Sequence, residues 1–143
     1  MSRVINTANP GKKRNHARRT IAEVLRHLMF RKRIDDESKD MAALVVFSLR
    51  EIADTVDVTT SAWESRDYYL KADRFRLEWE WAASTAGRLE TLVVSGQWDL
   101  LPAELIALAP RFADIRIAKM TRGSEAWQGR LQALVQGKVG EPR

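Results

Sequence analysis

Thirty-five consecutive residues in the middle of the chain, Ser61 to Ser95, contain no proline and a single glycine, Gly87. An uninterrupted stretch of that length with apolar residues at a 3.6-residue period predicts one long helix. Ser61 and Glu64 have capping-box spacing, the hydroxyl accepting an orphan amide while the carboxylate reaches back. Leu77 to Trp81 alternate as a strand would, but the flanks carry the helical period for roughly twenty residues more, and helix prevails.

The apolar surface of this stretch is wider than one core contact requires. One row runs Trp63, Leu70, Leu77, Trp81; a second runs Tyr68, Ala72, Phe75, Trp79, Ala82, Ala86, Leu89, Val93. A single core-facing stripe needs only about 100° of arc. Two rows predict burial on two sides, either as the central helix of a larger core or as a helix shared between the core and another subunit. On the second reading Tyr68, Phe75, Trp79 and Leu89 are the interface residues of a homo-oligomer.

The rest of the chain reads as helices around this one. Asn9-Pro10 offers a cap followed by a first-turn proline, with Asn15 as an alternative start. The first helix continues to Arg33 with an apolar face of Ile21, Val24, Leu25, Leu28 and Met29. Acids in `IDDESKD` suit the positive N-terminal end of a second helix over 37–57, which `DVTTS` stops. A short helix over 102–109 breaks at Pro110, and a long one follows over 110–135. Four amphipathic helices with short links predict an all-α fold, an antiparallel up-down-up-down four-helix bundle. At 143 residues it is a single helical-bundle domain, 1–143, with a flexible arm at 1–9 and a flexible tail at 136–143. In that topology the first and last helices are neighbours.

Charge is distributed unevenly. The net charge of +5 hides a basic first stretch, 1–33, whose only acid is Glu23; an acidic middle, 34–110; and a basic end, 111–143. Joined on one face, the two ends predict phosphate contacts from Lys12, Lys13, Arg14, Arg18, Arg19, Arg26, Arg31, Lys32, Arg33, Arg116, Lys119 and Arg122. Such contacts are independent of base sequence and steeply salt-dependent. The alternative partner for that face is an acidic protein, with the chain a structural interaction bundle.

Catalytic chemistry is not marked. His16 and His27 are eleven residues apart, without cysteine or carboxylate clusters beside them, so no metal ligand set is expected. The four acids Asp35, Asp36, Glu37 and Asp40 lack the glycine and closing glutamate of a calcium loop. Glu-x-x-His pairs, phosphate-binding lysine loops and dinucleotide fingerprints are missing, as are base-reading helix-turn-helix or RNA-binding sheet patterns. The expectation is a non-enzymatic protein without cofactors. Trp63, Trp79, Trp81 and Trp127 fall on apolar rows, leaving Trp98 as the exposed one. With no cysteine and no apolar run of membrane length, a cytoplasmic protein with no membrane partner is expected.

The segments `DYYLKADRFRLEWEWAASTAGRL` and `LPAELIALAPRFADIRIAKMTRGSEAW` resemble, in layout, the accessory variability determinant of diversity-generating retroelements. That family is akin to the four-helix proteins encoded in ribosomal RNA intervening sequences. The matching positions are Ala72, Asp73, Leu77, Trp79, Ile117, Gly123 and Trp127, within residues 35–130. The resemblance implies a barrel-shaped homo-oligomer, pentameric in the family. It also implies a basic surface that binds nucleic acid (RNA and cDNA), and a reverse transcriptase partner in template-RNA-primed synthesis.

Overall fold

The computed structural model describes residues 9–140, and within them the fold is all-helical. Residues 1–8 of the expected arm and 141–143 of the expected tail lie outside the described part. Asn9 belongs to the first helix as its cap. Its side chain accepts from the Lys12 amide, which fixes the start of α1 (Pro10–Met29) and excludes the alternative start at Asn15. Asp35 does the same for α2 (Asp36–Glu64), accepting from both the amide and the hydroxyl of Ser38.

The single helix expected from Ser61 to Ser95 is two helices. α2 runs straight through `DVTTS`, because Thr55 and Thr60 turn their hydroxyls back onto the carbonyls of Ile52 and Val56 instead of stopping the helix. Ser61 is therefore an interior residue, not a cap. The real break lies at Ser65–Tyr68. There the Tyr68 amide donates to the Trp63 carbonyl and the Asp67 amide to that of Glu64, with Asp67 left-handed at φ 65°. These are the two hydrogen bonds of a Schellman ending, with aspartate where glycine usually stands. α3 (Tyr69–Val94) then continues unbroken past Gly87 and ends as expected on a second Schellman turn at Gly96, φ 74°.

α1, α2 and α3 are consecutive antiparallel neighbours: Arg14 meets Thr55, and Arg50 and Arg76 bridge to Glu90 and Glu64. α2, not the 61–95 stretch, is the hub, packing on α1, α3 and the C-terminal helix. Met41, Ala42, Val45, Leu49 and Ile52 carry the centre of the core and are fully buried. α2 has 29 residues and α1 has 20. At about 1.5 Å per residue, α2 is roughly 13 Å longer. The far end of the α2–α3 hairpin is therefore not covered along α1.

After α3, a 3-10 turn (Trp98–Leu100) leads into α4 (Leu101–Leu108) and a second 3-10 turn (Ala109–Phe112). The long fourth helix expected over 110–135 does not form. Residues 113–123 are irregular, one helical turn follows (Ser124–Trp127), and α5 (Arg130–Gly140) begins only after Gly129, φ 78°. Residues 136–140, expected as tail, are part of α5. No helix among the described residues is long and apolar enough to cross a membrane.

Candidate nucleic-acid interface

The irregular 113–123 segment lies along α1 and is held there by α1 side chains. Arg18 grips the Asp114 carboxylate at 2.7 Å and the Arg111 carbonyl at 2.9 Å. Arg19 donates to the carbonyls of Lys119 and Arg116, and Arg26 to that of Ile117. From the other side Arg122 reaches the Thr20 hydroxyl and the His16 carbonyl. Carbonyls that a helix would have satisfied internally are satisfied here by guanidinium groups.

At the centre is Glu23, fully buried. Its carboxylate accepts from the Thr121 amide at 2.7 Å, the Thr121 hydroxyl at 2.6 Å, the Arg122 amide at 2.8 Å and Arg19 Nε at 2.6 Å. Burial alone pushes this carboxyl up. The hydrogen bonds from Thr121, Arg122 and Arg19 overcome that and hold it down at about 2. Sequence reasoning passed over this residue, although its standing as the only acid among ten cations in 1–33 was a signal. Asp114 is held below the usual carboxylate range by Arg18, and Glu51 and Glu125 line a hollow beside Arg122 at the strap's end.

The two basic ends do meet, but through the irregular strap: the first and last helices are not the neighbours expected, because α5 packs on α2 and α3 and the strap takes the place beside α1. Lys12, Arg19 and Arg26 repeat every seven residues and share one face of α1, spanning about 21 Å. The strap adds Arg116 and Lys119 beside them. Among the described residues, the side chains of Lys12, Arg116 and Lys119 have no hydrogen-bond or ion-pair partner, while Glu23 is covered and Asp114 is paired with Arg18.

Other cations predicted for this face are elsewhere. Arg14 turns inward over the rings of Phe75 and Trp79 and donates to Thr55. Burial lowers its guanidinium from the ordinary value. Lys13 lines a hollow with Glu51 and Asp54 of α2. Arg31 is held by Asp35 and Glu37. Lys32 and Arg33 stand past the other end of α1, at a separate groove.

The predicted subunit-contact row is inverted. Leu89 is 1% exposed, and Ala72, Ala82, Ala86 and Val93 are buried with it, so the second row of α3 faces the chain's own core. Phe75 and Trp79 are half-buried in an aromatic chain running Trp63–Phe75–Trp79–Trp81–Phe112. Only Tyr68 of the four is exposed. The first row supplies the bare residues instead, with Leu70 64% and Leu77 68% exposed next to Tyr69. Trp98, expected in solvent, is half-buried under the Lys39 ammonium. Trp127 is buried, edge-on to His27, and its indole donates to Glu37.

No group of three or more His, Cys, Asp or Glu among the described residues is arranged to hold a metal ion. No family model, curated protein or solved structure matches the chain.

Proposed function

We propose that this chain is a non-enzymatic, basic accessory protein that binds nucleic acid through the face formed by α1 and the 113–123 strap. The observation that carries this reading is the pairing of free and bound charge. Lys12, Arg116 and Lys119 have no side-chain partner among the described residues and stand beside Arg19 and Arg26, while Glu23 is turned inside and Asp114 is neutralised. Such a face presents cations to a phosphate backbone with little local acid to repel it. The row of about 21 Å matches roughly six nucleotide steps at 3.4 Å each. Spaced cations of this kind suit contact with the phosphate backbone.

The resemblance to the retroelement accessory family extends the proposal to RNA and cDNA as the ligand, a reverse transcriptase as the protein partner and a homo-oligomer, pentameric in that family, as the working form. The bare Leu70 and Leu77 of the first row, with Tyr68 and Tyr69 beside them, support self-association. A fourth rod completing an up-down-up-down bundle would then be the strap and α5 together.

Salt-dependent binding of a fluorescent single-stranded RNA tests the nucleic-acid reading. Three phosphate contacts, from Lys12, Arg116 and Lys119, predict that log K falls with log salt at a slope of about −2.1, and Lys12→Ala with Lys119→Ala reduces that slope by about 1.4. Absence of binding at about 50 mM salt, or a slope that the double substitution leaves unchanged, refutes it. Sedimentation tests self-association: a species at the 16.3 kDa monomer mass at all concentrations contradicts it.

A further inference from the structure

A second basic region lies at the opposite end of α1, around a groove that the proposed phosphate-binding face does not include. The segment after α1, the Trp98–Leu100 turn and α4 enclose a groove of about 520 Å³ walled by Leu28, Met29, Ile34, Trp98, Leu105 and Ile106. Its apolar surface continues past the groove, since Phe30 is 80% and Leu100 49% exposed. Lys32 and Arg33 stand on the rim, without ion-pair or hydrogen-bond partners among the described residues. Asp99 is the single acid in the lining.

We propose that this groove docks an acidic amphipathic helix of a partner protein. Apolar side chains at i, i+3 or i+4 and i+7 would enter between Met29 and Ile106, while flanking glutamates or aspartates would meet Lys32 and Arg33. Three features favour this occupant. The apolar surface runs beyond the groove at Phe30 and Leu100, which is more than one small molecule covers. The free rim charge is positive, complementary to an acidic flank. The segment that carries the rim is anchored: Arg31 is clamped by Asp35 and Glu37, and Asp35 in turn caps α2, so its backbone is already placed for binding. A nucleic-acid strand would fit poorly, because its charged backbone would lie against the aliphatic wall of Met29, Leu105 and Ile106.

The test titrates the ¹⁵N-labelled full chain with a designed helix of about five turns, leucine and phenylalanine on one face and glutamate on the other. A second peptide keeps the apolar face and carries lysine in place of glutamate. Amide shifts confined to 28–34 and 98–106, with the glutamate peptide bound about tenfold more tightly, are expected. Lys32→Glu with Arg33→Glu should reverse the preference, and Ile106→Asp should remove binding. These side chains are exposed or on the rim, and unchanged shifts elsewhere report that the variants stay folded.

Equal binding of the two peptides overturns the proposal, as do unshifted groove amides. Larger groove shifts with a single-stranded oligonucleotide, or shifts on concentrating the protein alone, overturn it in favour of nucleic acid or a second copy. The outcome is separable from that of the phosphate-binding face, since Lys12→Ala with Lys119→Ala should weaken RNA binding and leave peptide binding unchanged.

Discussion

Replacing Glu23 with glutamine should release the strap while leaving the helical core folded. Four donors converge on this carboxylate, two of them backbone amides, at 2.6 to 2.8 Å. Glutamine keeps the volume and one acceptor oxygen, but its amide nitrogen then faces Arg19 Nε–H, donor against donor. The magnitude follows from the carboxyl's titration. Its ordinary value is 4.5 and its folded value about 2. At 1.36 kcal/mol per unit this is about 3 kcal/mol. Because the folded value is depressed, that stability is fully present above pH 5 and is lost as pH falls towards 2. Urea unfolding at pH 7 should show Glu23→Gln less stable by about 3 kcal/mol, with the difference from the unsubstituted chain shrinking as pH falls from 5 to 3. Hydrogen exchange locates the effect, since the Thr121 and Arg122 amides should lose protection while those of α2 keep most of theirs. A cost under about 0.5 kcal/mol, or unchanged protection at Thr121 and Arg122, would refute the reasoning.

Asp67→Gly should raise stability by up to about 1 kcal/mol in urea unfolding, because φ 65° strains any side chain there, and Asp67→Val should lower it. Trp127→Ala removes a buried indole, its bond to Glu37 and its edge contact with His27. A loss of about 3–5 kcal/mol in the same assay is expected. Arg19→Lys keeps the charge but cannot span Glu23 and two carbonyls at once. Stability should fall by about 1–2 kcal/mol while RNA affinity at fixed salt holds within about twofold.

The sequence made the helical class and the end of α3, at Ser95-Gly96, legible, and it narrowed the start of α1 to two candidates, Asn9-Pro10 and Asn15, between which the Asn9 cap decides. The α2–α3 boundary was not legible. It falls in `ESRDYY`, which has neither glycine nor proline, and the left-handed position is taken by Asp67. The polar run `DVTTS` offered a stop eight residues earlier, but the helix passes through it, with Thr60 buried and its hydroxyl bonded back to the Val56 carbonyl. The last segment misled for a different reason. Ile117, Met120, Trp127, Leu131 and Leu134 keep a helical spacing, and Trp127 and Leu134 are indeed buried. What spacing could not show is that Glu23 accepts from the Thr121 and Arg122 amides while Arg18, Arg19 and Arg26 donate to the carbonyls of Arg111, Arg116, Ile117 and Lys119, and so offer partners that compete with a helix's own. Ile115, Ile117, Thr121 and Gly123 have little helix propensity to resist that offer.

Those arginines also explain why the basic face was only partly readable. An arginine on a helix surface has the same pattern whether its fork faces a phosphate or a carbonyl, and both are recognised by the same planar set of donors. Here Arg18, Arg19, Arg26 and Arg122 are spent on the strap, and Arg14 on aromatic rings. The lysines behave differently. The ammonium groups of Lys12 and Lys119 donate to nothing among the described residues, as expected of a compact, strongly hydrated charge on a flexible stem. Arg116 joins them: Arg19 holds its carbonyl, and its side chain has no partner among the described residues. The division follows residue chemistry more closely than helical position. Arginine in this chain builds the surface, and the ligand-facing charge falls mainly to lysine. If phosphate binding is the function, affinity should therefore track Lys12, Arg116 and Lys119, and folding should track Arg18, Arg19 and Arg122.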